Sequence, residues 1–159
     1  MDTHQQGFAK LVTMIDAIEV GMLTTADEAG HMRSRPMATQ RAEDGCLWFF
    51  TSRDSPKVEE IRKDCQVNVS YSDPANQIFV SVSGLARTLR DEARIRELWT
   101  GQAQRWFPEG PEDPRIALLS VEITAAEYWD VDACKMRALL KTNASPSELV
   151  AATEHKALS

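Results

Sequence analysis

The chain is poor in the residues that build metal sites and disulfides. In 159 residues it holds three histidines (His4, His31, His155) and three cysteines (Cys46, Cys65, Cys134), and neither set has the spacing of metal ligands. An odd number of well-separated thiols also argues against a disulfide framework and for a reducing compartment. No apolar run approaches the ~18 residues of a membrane span. The amino-terminal stretch "MDTHQQGFAKLV" lacks the basic-then-apolar order of a secretion signal, so the expected location is the cytoplasm, with no membrane partner. No glycine-rich loop links a strand to a helix, which argues against a doubly wound nucleotide fold. Basic residues are the minority, 18 against 24 acidic for a net charge of -6, which argues against a general nucleic-acid binder. Any anion site must be a local gathering of cations on an acidic molecule.

What is present is an ordinary soluble composition, 43% hydrophobic and 26% charged, in a length that suits one domain. "THQQGFAKLVTMIDAIEVG" places Phe8, Leu11, Val12, Ile15 and Ile18 at the helical period, with Thr3 and Gln6 at capping-box spacing and Gly21 as a stop. Short strands follow between turn signals: "MLTTA", "HMRSRPMATQRA" and "CLWFFTS" read as a three-stranded meander. "CQVNVSYSD" alternates cleanly, and "QIFVSVSGLARTLR" is a long strand whose Gly84 marks a bulge or bend. A helix opens near Asp91 with Ile95, Leu98, Trp99 and Gln102 along one side, and "RIALLSVEITAAEYWDVD" is the last long strand. Six strands and three helices predict a mainly β (α+β) fold, a small antiparallel barrel decorated by helices. Residues 1–140 are expected to form the domain and 141–159 a polar tail.

The chemistry gathers in "FFTSRDSPKVEEIRK", residues 49–63. Ser55 and Pro56 predict an N-cap and an N1 proline, with Val58 and Ile61 as the inner stripe of a helix. Arg53 and Lys57 then stand at the positive end of the helix dipole, where acidic side chains are favoured. Thr51, Ser52, Ser55, free amides and these cations together suit a phosphate. The competing reading is that Glu59 and Glu60 neutralise Lys57 and the helix is merely capped. One hairpin earlier, "HMRSRPM" puts Arg33 and Arg35 on one face of a strand that Pro36 interrupts, either beside a ligand or as an edge protected by charge. Only a hairpin separates the two stretches, so they are expected to be neighbouring strands. "CLWFFTS" is bulky on both faces, Leu47 and Phe49 against Trp48 and Phe50. With four tryptophans in so small a chain, this favours a subunit interface over a single filled core.

The order of "GMLTT", "RSRPM", "LWFFTSRDSPKVEEI", "VNVSYSD" and "VSVSGLA" over residues 5 to 131 resembles the pyridoxamine-phosphate-oxidase-like split-barrel flavoproteins, in their general-stress-protein branch. The resemblance implies a six-stranded antiparallel split β-barrel with flanking helices, working as a homodimer with FMN in the clefts between subunits. Carried over by position, Arg33, Ser34, Arg35, Pro36 and Met37 border the flavin ring and ribityl chain. Thr51 and Ser52 bond the ring edge or chain, and Ser55 with Lys57 holds the phosphate. Trp106, Phe107 and Trp129 are the candidates for aromatics from the second subunit. The implied function is an FMN-dependent oxidoreductase, with a reduced nicotinamide as a possible donor. The alternative is a protein that binds or buffers FMN, or another phosphorylated ligand, without turnover. Lys135, Arg137 and Lys141 do not align with the basic carboxy-terminal segment of a true pyridoxamine phosphate oxidase, so the resemblance does not carry vitamin B6 oxidation with it. No histidine stands where a haem ligand is expected, whereas use of a deazaflavin stays open. No catalytic acid or base is evident.

Overall fold

The computed structural model describes residues 3–131 and 135–141, with side chains from residue 5 to residue 131. In chain order the elements are α1 (Thr3–Ile18), β1 (Val20–Ala26), β2 (Met32–Ala38), β3 (Arg41–Glu43), β4 (Cys46–Ser52), α2 (Pro56–Lys63), β5 (Gln66–Asp73), β6 (Ile78–Leu89), α3 (Glu92–Leu98), α4 (Gly101–Trp106), β7 (Ile116–Asp130) and β8 (Lys135–Lys141). Residues 142–159, most of the expected polar tail, lie outside the described residues, as do Cys134 and His155.

The strands form one eight-stranded antiparallel sheet in the order β2-β1-β5-β6-β7-β4-β3, with β8 added on β7. Two strands exceed the expected six. The stretch "HMRSRPMATQRA" breaks at Thr39 and Gln40, because the chain there crosses from one end of the sheet to the other, and β8 follows the expected last strand. The meander expected of the first three strands is therefore absent: β2 and β4 are not paired. They stand near opposite ends of a sheet that rolls round the core without closing, and this gap makes the barrel split. The Gln40 N–H, donating to the Trp48 carbonyl at 2.9 Å, holds the crossing in place.

Alternation along the strands decides the core. Val67, Val69 and Tyr71 of β5 point inward, as their spacing predicts, and pack with Leu23, Leu47, Phe49, Val80, Val82, Leu119 and Val121 beneath Leu11 and Ile15 of α1. Full burial of a side chain such as Phe49 stabilises by about 1.5–3 kcal/mol. Glu19, at φ 68°, ends α1, and Gly21 instead lies within β1, where a Cβ would meet the Tyr71 ring at 2.8 Å. The expected bulge is present, with the β6–β7 register shifting between Ser83 and Gly84.

Both faces of β4 are covered, but by this chain's own helices. Trp48 and Phe50 pack on a second cluster of Ile95, Leu98, Ile116 and Leu118, joined by Trp99 and Phe107. Trp48 and Phe50 remain only half-buried, so packing within the chain takes up part of the bulk of "CLWFFTS". The helix expected from Asp91 is divided at Trp99. Asp91 caps α3 by accepting from the Arg94 N–H, and Thr100 caps α4 by accepting from the Ala103 N–H.

Candidate functional site

The sharp turn from β4 into α2 brings together the hydroxyls that the sequence singles out. Ser55 stands at the N-cap position with extended backbone (φ -74°, ψ 148°), and Pro56 opens the helix. The Ser55 side chain, however, makes no capping bond. Its Oγ lies 3.4 Å from Oγ1 of Thr51, a residue only 3% exposed. Two hydroxyls therefore face each other where the helix amides begin.

The cations here sort themselves by partner. Arg53 turns away: its N–H donates to the Arg115 carbonyl and its Nη1 to the Pro114 carbonyl. Glu59 pairs with Arg62 at 3.5 Å. Glu60 is held from the other side, accepting from the Thr25 hydroxyl at 2.5 Å and from Arg35 Nη2 at 3.2 Å, with Arg33 Nη1 at 3.8 Å. Of the two carboxylates that the capping reading assigns to Lys57, Glu59 pairs directly with Arg62 and Glu60 with the arginines. Among the described residues no carboxylate lies within ion-pair distance of Lys57. Burial, and then the nearby Arg35 guanidinium, hold the Lys57 pKa below the ordinary lysine value, while Glu60 pulls weakly the other way.

A cleft of about 400 Å³ opens beside Lys57 at the split between β2 and β4. That volume lies in the range of roughly 300–1,000 Å³ common to small-molecule sites. Pro36, Met37 and Ala38 of β2 with Val20 of β1 form one side, and Phe50, Thr51 and Ser52 of β4 another. Gln102, Ala103 and Trp106 of α4, with Phe107 after it, form a third, and Gln40 comes from the crossing. Among the described residues Lys57 is the one charged lining residue, and no Asp, Glu or His lines the cleft. A larger groove of about 530 Å³ on the sheet's outer face is lined by Thr24, Asn68, Ser83 and Thr124, and its charged lining residue is Asp64. The smaller cleft is the better anion site on charge alone.

Of the residues predicted for the site, the structure gathers Pro36, Met37, Thr51, Ser52, Lys57, Trp106 and Phe107 around one cleft, with the Ser55 hydroxyl against Thr51. Trp106, 76% exposed, stands at the rim in the cleft of its own chain. Arg33 and Arg35 are turned to Glu60 instead of lining the cleft, and Ser34 is exposed opposite Thr24. Trp129 lies apart on β7, paired with Phe79. Sequence reasoning missed Gln40, Gln102 and Glu60. Gln102 was visible on its helix, but nothing in sequence joins α4 to β2.

Comparison with known proteins agrees with this architecture. A model of the family described as pyridoxamine 5'-phosphate oxidase like matches residues 6–148. Protein bli-3 of Neurospora crassa is 30% identical over 129 residues, 74% of this chain, and the chain spans 62% of that relative's length. The general stress protein 26 of Bacillus anthracis superposes with a TM-score of 0.71 at 25% identity, over 82% of this chain and 97% of that one. A general stress FMN/FAD binding protein of Xanthomonas citri gives 0.67 at 27% identity, over 89% and 98%. Among the described residues no helix is long and apolar enough to cross a membrane. With most of its length matched and an unclosed antiparallel sheet, the chain belongs to the pyridoxamine 5'-phosphate oxidase like family.

Proposed function

We propose that this protein binds FMN in the cleft between β2 and β4 and acts in the cytoplasm as a homodimeric, FMN-dependent oxidoreductase. The observation that carries the reading is Lys57, a half-buried cation with no carboxylate partner among the described residues, beside the Thr51, Ser52 and Ser55 hydroxyls. A phosphate dianion at this corner stabilises the charged lysine and accepts from the hydroxyls and helix amides. The flavin ring then lies along Pro36 and Met37, with Arg33, Ser34 and Arg35 nearby on the same strand and Trp106 at the rim. FMN supplies the electron or hydride chemistry; the residues of this chain bind it, orient it and shield it from water. A reduced nicotinamide is the proposed donor.

The homodimer rests on the outer face of the sheet. Val20, Met22 and Phe79 are 45%, 39% and 36% exposed there. The register Met22–Ser70–Ser81, with Phe79 two residues from Ser81 and opposite Trp129, puts Met22, Phe79 and Trp129 on one face. A second copy on this face brings its Trp129 toward the first copy's flavin.

A second reading, in which FMN is held without turnover, is favoured by a cleft whose described lining includes no Asp, Glu or His. The visible spectrum of the protein as isolated, followed by anaerobic addition of NADH or NADPH, separates the two. A yellow protein that bleaches fast is the enzyme, and one that responds only to dithionite is the holder. A sample that stays colourless after FMN is added defeats both.

A further inference from the structure

We infer that Glu60 is a positioning residue for the anion corner: it seats the first turn of α2, and Lys57 with it, against β1 and β2. This rests on the proposed FMN site. Glu60 has one carboxylate and three partners on two strands. Thr25 of β1 donates to Oε2 at 2.5 Å, Arg35 of β2 to the same oxygen at 3.2 Å, and Arg33 lies 3.8 Å from Oε1. Arg35 closes the set by donating through Nη1 to Thr25 Oγ1 at 2.7 Å and to the Leu23 carbonyl at 3.3 Å. The register makes this possible, since Thr25 faces Arg33 and Leu23 faces Arg35, so Arg35 reaches Thr25 along the diagonal. Thr25 is 2% exposed, and the Glu60 side chain 10%. The Thr25–Arg35–Glu60 part of the cluster is therefore largely shielded from water and sensitive to loss of one member, with Arg33 exposed at its edge.

Lys57 and Glu60 are three residues apart on one helix, hence on neighbouring positions of its surface. Glu60 nevertheless leaves Lys57 unpaired because both of its oxygens are committed to β1 and β2. The corner then carries three cations, Arg33, Arg35 and Lys57, against one carboxylate. Without Glu60 the arginines lose their anchor, repel each other and Lys57, and release the helix start from the strands.

Charge alone and placement make opposite forecasts for Glu60→Gln. Removing a negative charge near a dianion tightens binding by Coulomb attraction, whereas loss of the anchor weakens it. Placement is the effect proposed to win. The test compares binding of FMN with riboflavin, which lacks the phosphate, by fluorescence titration of wild type, Glu60→Gln and Thr25→Val, each first checked for a cooperative thermal transition. The expected result is about a tenfold loss for FMN in Glu60→Gln, a smaller loss in Thr25→Val, and riboflavin binding unchanged in both. Equal losses for the two ligands reduce Glu60 to a stability role and overturn the inference, as does unchanged or tighter FMN binding. If Glu60→Gln does not fold, Thr25→Val decides by the same comparison. A wild type that binds FMN no better than riboflavin defeats the phosphate site itself, an outcome distinct from failure of the Glu60 role.

Discussion

The residue on which most depends is Lys57, whose neighbours make it expensive in the free protein and useful in the liganded one. Burial and Arg35 disfavour its charged form, so replacing it with an apolar chain of similar length relieves the fold while stripping the site. Lys57→Met is expected to raise the thermal midpoint of the flavin-free protein and to weaken FMN by roughly ten- to a hundredfold, the equivalent of the ~1.5–3 kcal/mol of a charged hydrogen bond. Thermal scans and fluorescence titration check the two halves. The sign with pH follows: the ammonium is present below its pKa, which lies under the ordinary lysine value. FMN affinity should therefore fall as pH rises through that lowered value, and Lys57→Met should be flat there. Little of this was legible beforehand. The basic and hydroxyl residues of "TSRDSPK" stand together in the chain, but which cation keeps a carboxylate depends on Thr25, Arg33 and Arg35, residues brought in from two other strands.

Among the elements, the long strands carry the stresses of rolling the sheet. β6 and β7, twelve and fifteen residues long, pair along the whole of β6, and the register shift at Gly84 lets them curl. A Cβ at this position would lie 2.5 Å from the Glu122 carbonyl oxygen and 2.6 Å from a Val121 methyl, so space rather than backbone freedom demands glycine. Gly84→Ala should destabilise by about 1–3 kcal/mol, read as a lower denaturation midpoint with an unchanged m-value. The turn before β7 is fixed electrostatically. Buried Asp113 accepts from the N–H and the guanidinium of Arg115, which hold its carboxyl below the usual aspartate range. A depressed carboxyl pKa stabilises above the unfolded value near 3.8 and loses that contribution as pH falls through the folded one. Asp113→Asn should therefore melt earlier than wild type at neutral pH, with the gap narrowing in scans taken below about pH 4.

At the scale of the whole molecule, the outer face of the sheet carries exposed apolar side chains among polar ones, Met22 and Phe79 beside Ser70 and Ser81. α3 packs on the second face of β4 and α1 and α2 on the inner core, while Met22, Phe79 and Trp129 share the outer face. Met22→Lys should shift the protein from dimer to monomer in sedimentation and reduce flavin retention, with the core intact because Met22 lies outside it. A dimer that persists unchanged places the interface elsewhere. The proposed dimer thus rests on a different surface from the one that the bulk of "CLWFFTS" suggested.

The sequence by itself determined most elements and the alternation that turns Val67, Val69 and Tyr71 inward, because a period of two or 3.6 residues is a local property that burial acts on directly. It also held the bulge at Gly84 and the run of hydroxyls before α2. Only the tertiary structure decided that β2 and β4 meet across an open split instead of pairing, that one helix pattern divides at Trp99 so α4 can wall the cleft, and that Glu60 answers to the arginines instead of Lys57. These outcomes turn on contacts between residues tens of positions apart. A rolled sheet brings its two ends together, and nothing in the periodicity of either end records the meeting.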